Sequence, residues 1–411
     1  MIASKGAVYV IPVNRRHMFL ALMWVTLLGG CGNRTEMNDL GITSATGFDK
    51  QNGKWNITYQ VIVPPASSTS GSSGGGSQST VTTFTSQGKT IREAVAKSSV
   101  ENPKKLYFAH TNVLVIGEEA AEQGIAEILD NYYRNIEPRE TVKMLVADGE
   151  ARDYLNKMVP PEKNPGRALS DILQRNHERG SYYPLVNLHE FAMKISSDSG
   201  AAGIPIVTVK GQDHKKIENI DVFKETSSPA KLRLEGLSVF SKDKKIGKLS
   251  QSESLGVAWL TDQVKRTNLR YVGENGEINS FLVRKATVKT KPIKTGFHYT
   301  IRVDAKVSGE LEESTSPKKI SSKESINELQ HQAEQLIEAQ MMEGWKATQQ
   351  LKVDLLGIGN KIHQHQPKEW KSLKESWPEE IRNMDININV EVSVRRTGLL
   401  QDSFSKLLGS E

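Results

Sequence analysis

Residues 321–341, SSKESINELQHQAEQLIEAQM, carry the strongest local structural signal in the chain. Ser321 and Glu324 have the spacing of a capping box, in which each side chain accepts a hydrogen bond from the other residue's backbone N–H. Apolar residues then recur every three or four positions, namely Ile326, Leu329, Ala333, Leu336, Ile337 and Met341. This period predicts a long amphipathic helix with one face turned toward a core, and the segment Asp354–Gly359 is expected to end it.

Segments with the pattern of strands that expose one face to water precede and follow this helix in the sequence. Residues 384–396, MDININVEVSVRR, alternate apolar with polar side chains, which is the pattern of a strand covered on one face only. Phe281–Val288 and Tyr299–Val307 predict two further strands. Because strands with a long helix on one face form a two-layer structure, we predict a C-terminal α+β domain over residues 281–411.

A small middle domain is predicted upstream of these strands, over residues 220–280. Leu237–Phe240 and Ile246–Leu249 indicate a short hairpin around a Lys-Asp-Lys-Lys turn. The polar residues 211–219 supply the boundary on its N-terminal side.

The preceding part of the chain, residues 31–210, also mixes strands with helices. Trp55–Val63 alternates as a strand, and Leu106–Ile116 predicts a strand buried on much of both faces. A helix is expected over Ile91–Ser98. Residues 66–80 are almost wholly Ser, Thr and Gly and predict a flexible loop that joins two strands. The whole mature chain is therefore expected to be a multidomain α+β protein with mixed and antiparallel sheets packed with helices.

The N-terminus has the features of an export signal. Arg15-Arg16-His17 is a positive region, and Met18–Leu28 is an apolar stretch too short to span a bilayer comfortably. It runs into Leu28-Gly29-Gly30-Cys31, which matches the bacterial lipobox. We predict a signal peptide over residues 1–30, cleavage ahead of Cys31, and lipid attached to that thiol on the outer face of a membrane.

Composition limits the remaining classes of function. The signal peptide carries three basic residues and no acidic one, so its removal lowers the formal net charge from +6 to +3. This mild excess, without basic runs interleaved with aromatics, argues against a nucleic-acid partner. Cys31 is the one cysteine of the 411 residues, so no disulfide is expected. No stretch of about 20 apolar residues follows the signal peptide that would span a membrane.

No motif of the sequence indicates catalysis, a cofactor or a metal site. His363-Gln364-His365 offers two imidazoles on an extended segment without an identifiable third ligand. His189-Glu190 lacks the second histidine of the zinc-protease pattern, and Gly357-Ile358-Gly359 follows a helix where a dinucleotide loop would follow a strand. We therefore expect a protein that is not an enzyme and holds neither cofactor nor metal.

One polar cluster interrupts an otherwise apolar strand. His110, Thr111 and Asn112 lie within Leu106–Ile116 and form either a hydrogen-bonded structural knot or a recognition point. Both alternatives remain open at the level of sequence, with the structural one favoured.

Three quoted stretches carry a resemblance to a known family. They are Cys31–Leu40 (CGNRTEMNDL), Phe108–Glu118 (FAHTNVLVIGE), and Asp354–Gly359 (DLLGIG) followed by Pro367, Trp370 and Trp377. In this order they resemble the lipoprotein C subunits of bacterial spore germinant receptors, the Ger(x)C family. The sequence departs modestly from that pattern, since Asn33 stands where family members often carry Trp, and residues 66–80 look like an expanded loop.

The resemblance implies a non-enzymatic subunit of a nutrient germinant receptor. Such a subunit is anchored by acyl chains such as palmitate on Cys31 in the spore inner membrane. It assembles with two integral-membrane partners, an A-type and a B-type subunit, and the assembly triggers germination.

An extracytoplasmic solute-binding lipoprotein is the main alternative, because it would also carry a lipobox. Its usual body is two α/β lobes built from βαβ units. The antiparallel pattern in the second half of this chain and its aromatic content of 6% disfavour that reading.

Overall fold

A computed structural model describes residues 39–63, 79–273, 276–296, 298–315 and 322–396 of the chain. The predicted signal peptide, Cys31 and residues 66–78 of the Ser- and Gly-rich loop lie outside these ranges. The described residues form two sheets, each packed with its own helices, so the predicted multidomain α+β class is confirmed.

The first sheet has parallel strands at its centre and antiparallel pairs toward both edges. The strands are β1 (Leu40–Gln51), β2 (Lys54–Ile62), β3 (Val81–Gly88), β4 (Lys105–Tyr107), β5 (Val113–Ile116), β6 (Lys143–Ala147), β7 (Ala201–Gly211), β8 (Ala230–Ser241) and β9 (Lys244–Leu249). Their order is β3-β2-β1-β5-β6-β7-β8-β9, with β4 paired to β1 beside β5. The strands β1, β4, β5, β6 and β7 run parallel to one another, whereas β2 and β3 at one edge and β8 and β9 at the other are joined by antiparallel pairs.

Helices cover both faces of the first sheet. In β5, Leu114 and Ile116 enter the apolar core on one face, whereas Val113 and Val115 enter the core on the other. Both sets are fully buried, as expected for parallel strands at the centre of a sheet. The helices are α1 (Ile91–Glu101), α2 (Glu118–Gln123), α3 (Ala126–Arg134), α4 (Arg152–Leu155), α5 (Pro165–Arg175) and α6 (Leu188–Ser196). We call residues 39–249 the N-terminal unit.

The predicted single strand over Leu106–Ile116 was wrong in its extent. The structure has two short strands there, β4 and β5, which pair in parallel with successive parts of β1. Residues 108–112 leave the ladder between them, and the backbone N–H of Thr111 donates to the carbonyl of Phe108 at 3.0 Å in a turn. The interruption occurs because the polar residues here bond to β1 through side chains as well as backbone.

Residues 220–280, predicted as a small middle domain, divide between the two sheets. β8 pairs antiparallel with β7 along its length, and β9 extends the same sheet as a hairpin partner of β8. The helix that follows packs against the second sheet, and the next strand is part of that sheet. The polar residues 211–219 therefore connect β7 and β8, which pair within one sheet, and they are not a domain boundary. The first unit ends only after β9.

We call residues 250–396 the C-terminal unit, which contains the second sheet. Its elements are β10 (Thr267–Val272), β11 (Ile278–Thr295), β12 (His298–Ser314), β13 (Ile386–Arg396), α7 (Gln251–Leu260), α8 (Lys323–Leu351), α9 (Ile358–His365), α10 (Pro367–Leu373) and α11 (Trp377–Asn383). The strand order is β10-β11-β12-β13, with β13 parallel to β12 and the other pairs antiparallel. Helices cover one face of the sheet, and alternate residues of β13 confirm the predicted pattern, with Val392 buried and Glu391 exposed.

The long helix predicted from the sequence is α8. Its N-cap is Ser322, whose hydroxyl accepts a hydrogen bond from the backbone N–H of Ser325 at 3.1 Å. It ends at Leu351, because Lys352 takes the left-handed conformation with φ of 54°. The expected stop at Asp354–Gly359 is thus placed a few residues too late.

Two glycines let α7 and α8 cross in backbone contact. A Cβ on Gly256 would lie 2.1 Å from the carbonyl oxygen of Gln340, and a Cβ on Gly344 would lie 2.5 Å from the backbone N of Val257. Only glycine allows this approach, which presses α8 against the helix that leads out of the N-terminal unit.

Candidate functional site

Two residues of the polar cluster predicted at residues 110–112 are hydrogen-bonded to strand β1 of the first sheet. The hydroxyl of Thr43 on β1 donates to the carbonyl of Tyr107 at 2.9 Å, so its contact with the Thr111 hydroxyl at 2.8 Å has Thr111 as donor. The backbone N–H of Asn112 donates to the carbonyl of Ser44 at 2.8 Å. Thr111 and Asn112 therefore fasten the turn to β1.

His110 takes a different position from its two neighbours. It is exposed, and its ring lies 5.6 Å from the ring of Tyr107, centroid to centroid. The hydrogen bonds of Thr111 and Asn112 to β1 give these two residues a structural role. A recognition role for His110 stays a prediction.

The stretch Asp354–Gly359 forms a capped turn at the junction between the two units. The carboxylate of Asp354, which is only 2% exposed, accepts hydrogen bonds from the backbone N–H groups of Ile358 at 2.9 Å and Gly359 at 2.6 Å. It also accepts from the hydroxyl of Ser199 in the N-terminal unit at 2.6 Å. One buried side chain thus caps the start of α9 and holds the other unit.

Asn360 adds three further hydrogen bonds across the same junction. Its side-chain oxygen accepts from the backbone N–H of Ser199 at 2.9 Å, and its side-chain nitrogen donates to the hydroxyl of Ser197 at 3.1 Å. Its own backbone N–H donates to the Ser199 hydroxyl at 3.3 Å. The loop of residues 197–199 is therefore held by both backbone and side-chain contacts.

Asp198 makes a second anchor between the units. Its carboxylate accepts from Nδ1 of His363 and from Nε1 of Trp370, the latter at 3.0 Å. Partial burial alone would raise the pKa of Asp198, but the hydrogen bonds from His363 and Trp370 outweigh it and hold the pKa below the usual value. His363 and His365 lie in helix α9, where an extended segment was expected, and the contact with Asp198 occupies His363.

Gly359 is required by the aromatic packing behind this junction. A Cβ there would lie 2.7 Å from Cη2 of Trp370 and 3.2 Å from Nε1 of Trp377. The two indole rings meet edge to face with centroids 5.0 Å apart. Gly357 takes φ of 70° and is the N-cap of α9, so the Gly-Ile-Gly segment begins a helix where the sequence suggested a helix stop.

An apolar cluster and one further polar contact complete the junction. The hydroxyl of Ser181 accepts from the backbone N–H of Lys265 at 3.0 Å and contacts the carbonyl of Arg266 at 3.1 Å. Residues from β7, β8 and β9 pack with residues from α7, from α8 and from the segment just after α8, namely Ala201, Leu237, Val239, Leu249, Val257, Ala347 and Val353. The two units therefore share an apolar interface with polar contacts beside it.

The uncovered face of the second sheet is charged and open. Lys285 and Lys289 of β11 are exposed and form no ion pair within the described ranges. Next to them, Lys306 pairs with Glu391 at 3.3 Å across β12 and β13. The face is a shallow depression with a basic excess, lined by Lys285, Thr287, Lys289, Asp304, Lys306, Ser308, Glu391, Ser393 and Arg395.

Two features bear on membrane and metal chemistry. None of the helices in the described ranges has the length and apolar character that a bilayer span requires. Within the same ranges, no three His, Cys, Asp or Glu side chains are grouped so that they would hold a metal ion.

Sequence reasoning missed the N-terminal half of the junction. Asp198 and Ser199 lie in a polar loop, and Ser199 is 155 residues away from Asp354 along the chain. No local pattern marks such residues, whereas two of their partners, Asp354 and Trp370, lie within the stretches that carried the family resemblance.

Two family descriptions match consecutive parts of the chain. Residues 33–209 match the spore germination protein N-terminal domain, and residues 235–398 match the spore germination B3/GerAC-like C-terminal domain. Together they cover well over half of the chain.

Curated relatives match along nearly the whole chain. Spore germination protein KC of Bacillus subtilis (strain 168) is 28% identical over 388 residues, which is 92% of this chain and 95% of that protein. Spore germination protein B3 of the same organism is 23% identical over 390 residues, covering 93% and 96%. The crystal structure of the GerBC protein matches with a TM-score of 0.51 and 21% identity over 85% of this chain and 96% of that one, which supports the same fold.

Proposed function

Because the chain belongs to the spore germination B3/GerAC-like family, we propose that it is the lipid-anchored C subunit of a nutrient germinant receptor in the spore inner membrane. The observation that carries this proposal is the ordered match of both halves of the chain to the two family domains. The curated relatives that match over nine-tenths of the chain are named as germination proteins. In this proposal the subunit acts by assembly, without catalysis, with two integral-membrane subunits of A-type and B-type.

The proposed anchor is Cys31 with two or three acyl chains. At about 0.8 kcal/mol per buried methylene, more than one chain is needed for stable attachment. Leu40, the first residue of β1, lies nine residues after Cys31, and an extended chain spans at most about 3.4 Å per residue. The start of β1 would then lie within about 31 Å of the attachment point. This distance keeps the N-terminal unit near the lipid headgroups.

Fractionation of the Cys31→Ala variant tests the anchor. We expect release of the protein from membranes, or retention of an unprocessed precursor, together with loss of the germination response. Thr35→Ala changes the same segment without removing the acceptor thiol and is expected to behave as the wild type. Normal processing and membrane retention of Cys31→Ala would contradict the proposed anchor.

The open face of the second sheet is our candidate for contact with the membrane subunits. Lys285 and Lys289 lack ionic partners within the described ranges, so an acidic partner surface would complement them. Because no internal ion pair is lost, charge reversal here should leave folding intact.

Capture of the partners from spore membranes tests this face. The double variant Lys285→Glu/Lys289→Glu is expected to recover at least about tenfold less of the membrane subunits at an unchanged melting temperature. Lys215→Glu/Lys231→Glu places the same charge change on two exposed positions of the N-terminal unit and serves as the matched control. Normal recovery with the double variant would move the interface to another surface.

A further inference from the structure

A cavity of about 440 Å³ lies in the N-terminal unit beneath helix α1. Its walls are α1, the face of β1 and β2 that carries Thr46 and Tyr59, the segment around β4, and residues 131–138 at the end of α3 and just after it. Well-packed interiors contain few voids larger than a water molecule. This volume instead falls in the range of small-molecule sites, which is about 300–1,000 Å³. We call it the α1 cavity.

The floor of the α1 cavity is aromatic but contains one unsatisfied hydroxyl. Tyr59 and Phe108 lie with ring centroids 6.0 Å apart, and Phe48 and Tyr132 lie 6.5 Å apart. Thr46, on the same floor, is 2% exposed, and its hydroxyl has no hydrogen-bond partner within the described ranges. A buried polar group of this kind is normally satisfied, so a ligand acceptor is the natural partner.

The rim of the cavity has a basic end. Lys104 and Lys105, adjacent in sequence, both line it just past the C-terminus of α1. Arg92 lines the opposite end, where its guanidinium donates to the side-chain oxygen of Asn135 at 2.9 Å, close to Glu137. The two lysines are therefore the cationic pair best placed to meet an anionic group at the rim.

We propose that the α1 cavity binds a small amphipathic carboxylate. Its apolar, preferably aromatic, body lies on the floor of Phe48, Tyr59, Phe108 and Tyr132. Its carboxylate meets Lys104 and Lys105. Where the body carries a hydrogen-bond acceptor such as a ketone, that acceptor receives the hydroxyl of Thr46. Such a molecule comes either from solution, as a free aromatic carboxylate, or from the membrane, as a fatty acid.

This binding site goes beyond the proposed function and does not depend on it. The site is built from residues of one unit, and its occupation needs no partner subunit. A chain that binds the probe but captures no membrane subunits would contradict only the proposed receptor role. A chain that assembles normally but leaves the cavity empty would contradict only the present inference.

Photolabelling of the full chain in lipid vesicles with 4-benzoylbenzoate tests the proposal. This probe has two aromatic rings, a carboxylate and a ketone that can accept from Thr46, and its excited ketone inserts into nearby C–H bonds. We expect saturable labelling of peptides that contain α1, β4 or Tyr132. An excess of 3-phenylpropanoate should suppress the labelling if the source is a free aromatic carboxylate, whereas suppression by palmitate alone assigns a membrane source.

Two variants probe the contacts, and one controls for charge. Lys104→Gln/Lys105→Gln is expected to raise the half-saturating concentration of the probe about tenfold or more, because it removes charge-assisted contacts. Thr46→Val removes only the hydroxyl and is expected to raise it about fivefold to tenfold. Lys97→Gln, on an exposed position of α1 outside the cavity lining, should leave it unchanged.

Thermal melts of each variant establish that it is folded before labelling is compared. Thr46→Val preserves side-chain shape, so it keeps the test decisive even if the double lysine variant folds poorly. Labelling that is unsaturable, that falls outside the cavity peptides, or that is the same in wild type, Thr46→Val and a folded double lysine variant would overturn the proposal.

Discussion

Replacement of Asp354 by Ala should remove much of the stability of the junction. The substitution takes away the acceptor of two buried backbone N–H groups, those of Ile358 and Gly359, and of the Ser199 hydroxyl. Each buried N–H left unsatisfied costs about 1.5 kcal/mol and the lost hydroxyl contact about 1 kcal/mol, so we expect a loss of about 4 kcal/mol in the free energy of unfolding. Asp354→Asn keeps one acceptor oxygen and should lose about half as much.

Equilibrium unfolding in urea, followed by circular dichroism, measures this loss. Asp385→Ala, at an exposed position in the same unit, should change the free energy by less than about 0.5 kcal/mol. A double-mutant cycle with Ser199→Ala isolates the contact between the units, for which we expect a coupling energy of about 1 kcal/mol. A loss below about 1 kcal/mol for Asp354→Ala, or a coupling energy of zero, would refute the role assigned to this carboxylate.

Three further predictions concern single positions or segments. Gly359→Ala should destabilise the chain by roughly 1–3 kcal/mol in the same urea assay, because its Cβ would lie 2.7 Å from Trp370, and unchanged stability would contradict that packing. Replacement of residues 66–78 by a four-residue turn should keep both the fold and the germination response. The backbone N–H of Val63 already donates to the carbonyl of Thr80 at 2.8 Å, and the entropy of closing the loop changes by only about 1 kcal/mol. A folded, anchored variant whose spores fail to germinate would show that these residues are functional. Burial raises the pKa of Asp49 to about 6, although hydrogen bonds from two backbone N–H groups act to lower it. The folded state therefore favours the protonated carboxyl, and stability is lost as the pH rises from about 4 to about 6. Relative to Asp49→Asn, the wild type should lose about 3 kcal/mol between pH 3.5 and pH 7, and a difference independent of pH would count against that raised pKa.

Local patterns in the sequence predicted the C-terminal unit better than the N-terminal one. The helix α8 and strand β13 each bury one face, so their own periodicity reports their structure. Strand β1, by contrast, received no prediction, because its segment is polar and carries glycine. Thr43, Ser44 and Thr46 are all buried there. Because small polar side chains are buried in this strand, its sequence lacks the alternation of apolar and polar residues from which a strand is predicted.

The middle of the chain and the junction show a second limit of local patterns. The hairpin of β8 and β9 was predicted, but its attachment to β7 depends on strand pairing that no local pattern encodes. Asp198 and Ser199 likewise gain their roles from residues far along the chain. Asp354 and Gly359 both lie in the family-like stretch. The capping role of Asp354 and the need for glycine at position 359 could be explained only from the residues that the fold brings next to them.

Affinity capture of the full chain from spore membranes is the decisive test of the proposed receptor role. We expect recovery of two co-encoded integral-membrane proteins with the wild-type chain, at comparable amounts, and their loss in the Cys31→Ala variant. Recovery of a lone lipoprotein that carries a bound solute would contradict the receptor assignment and favour an extracytoplasmic solute-binding protein.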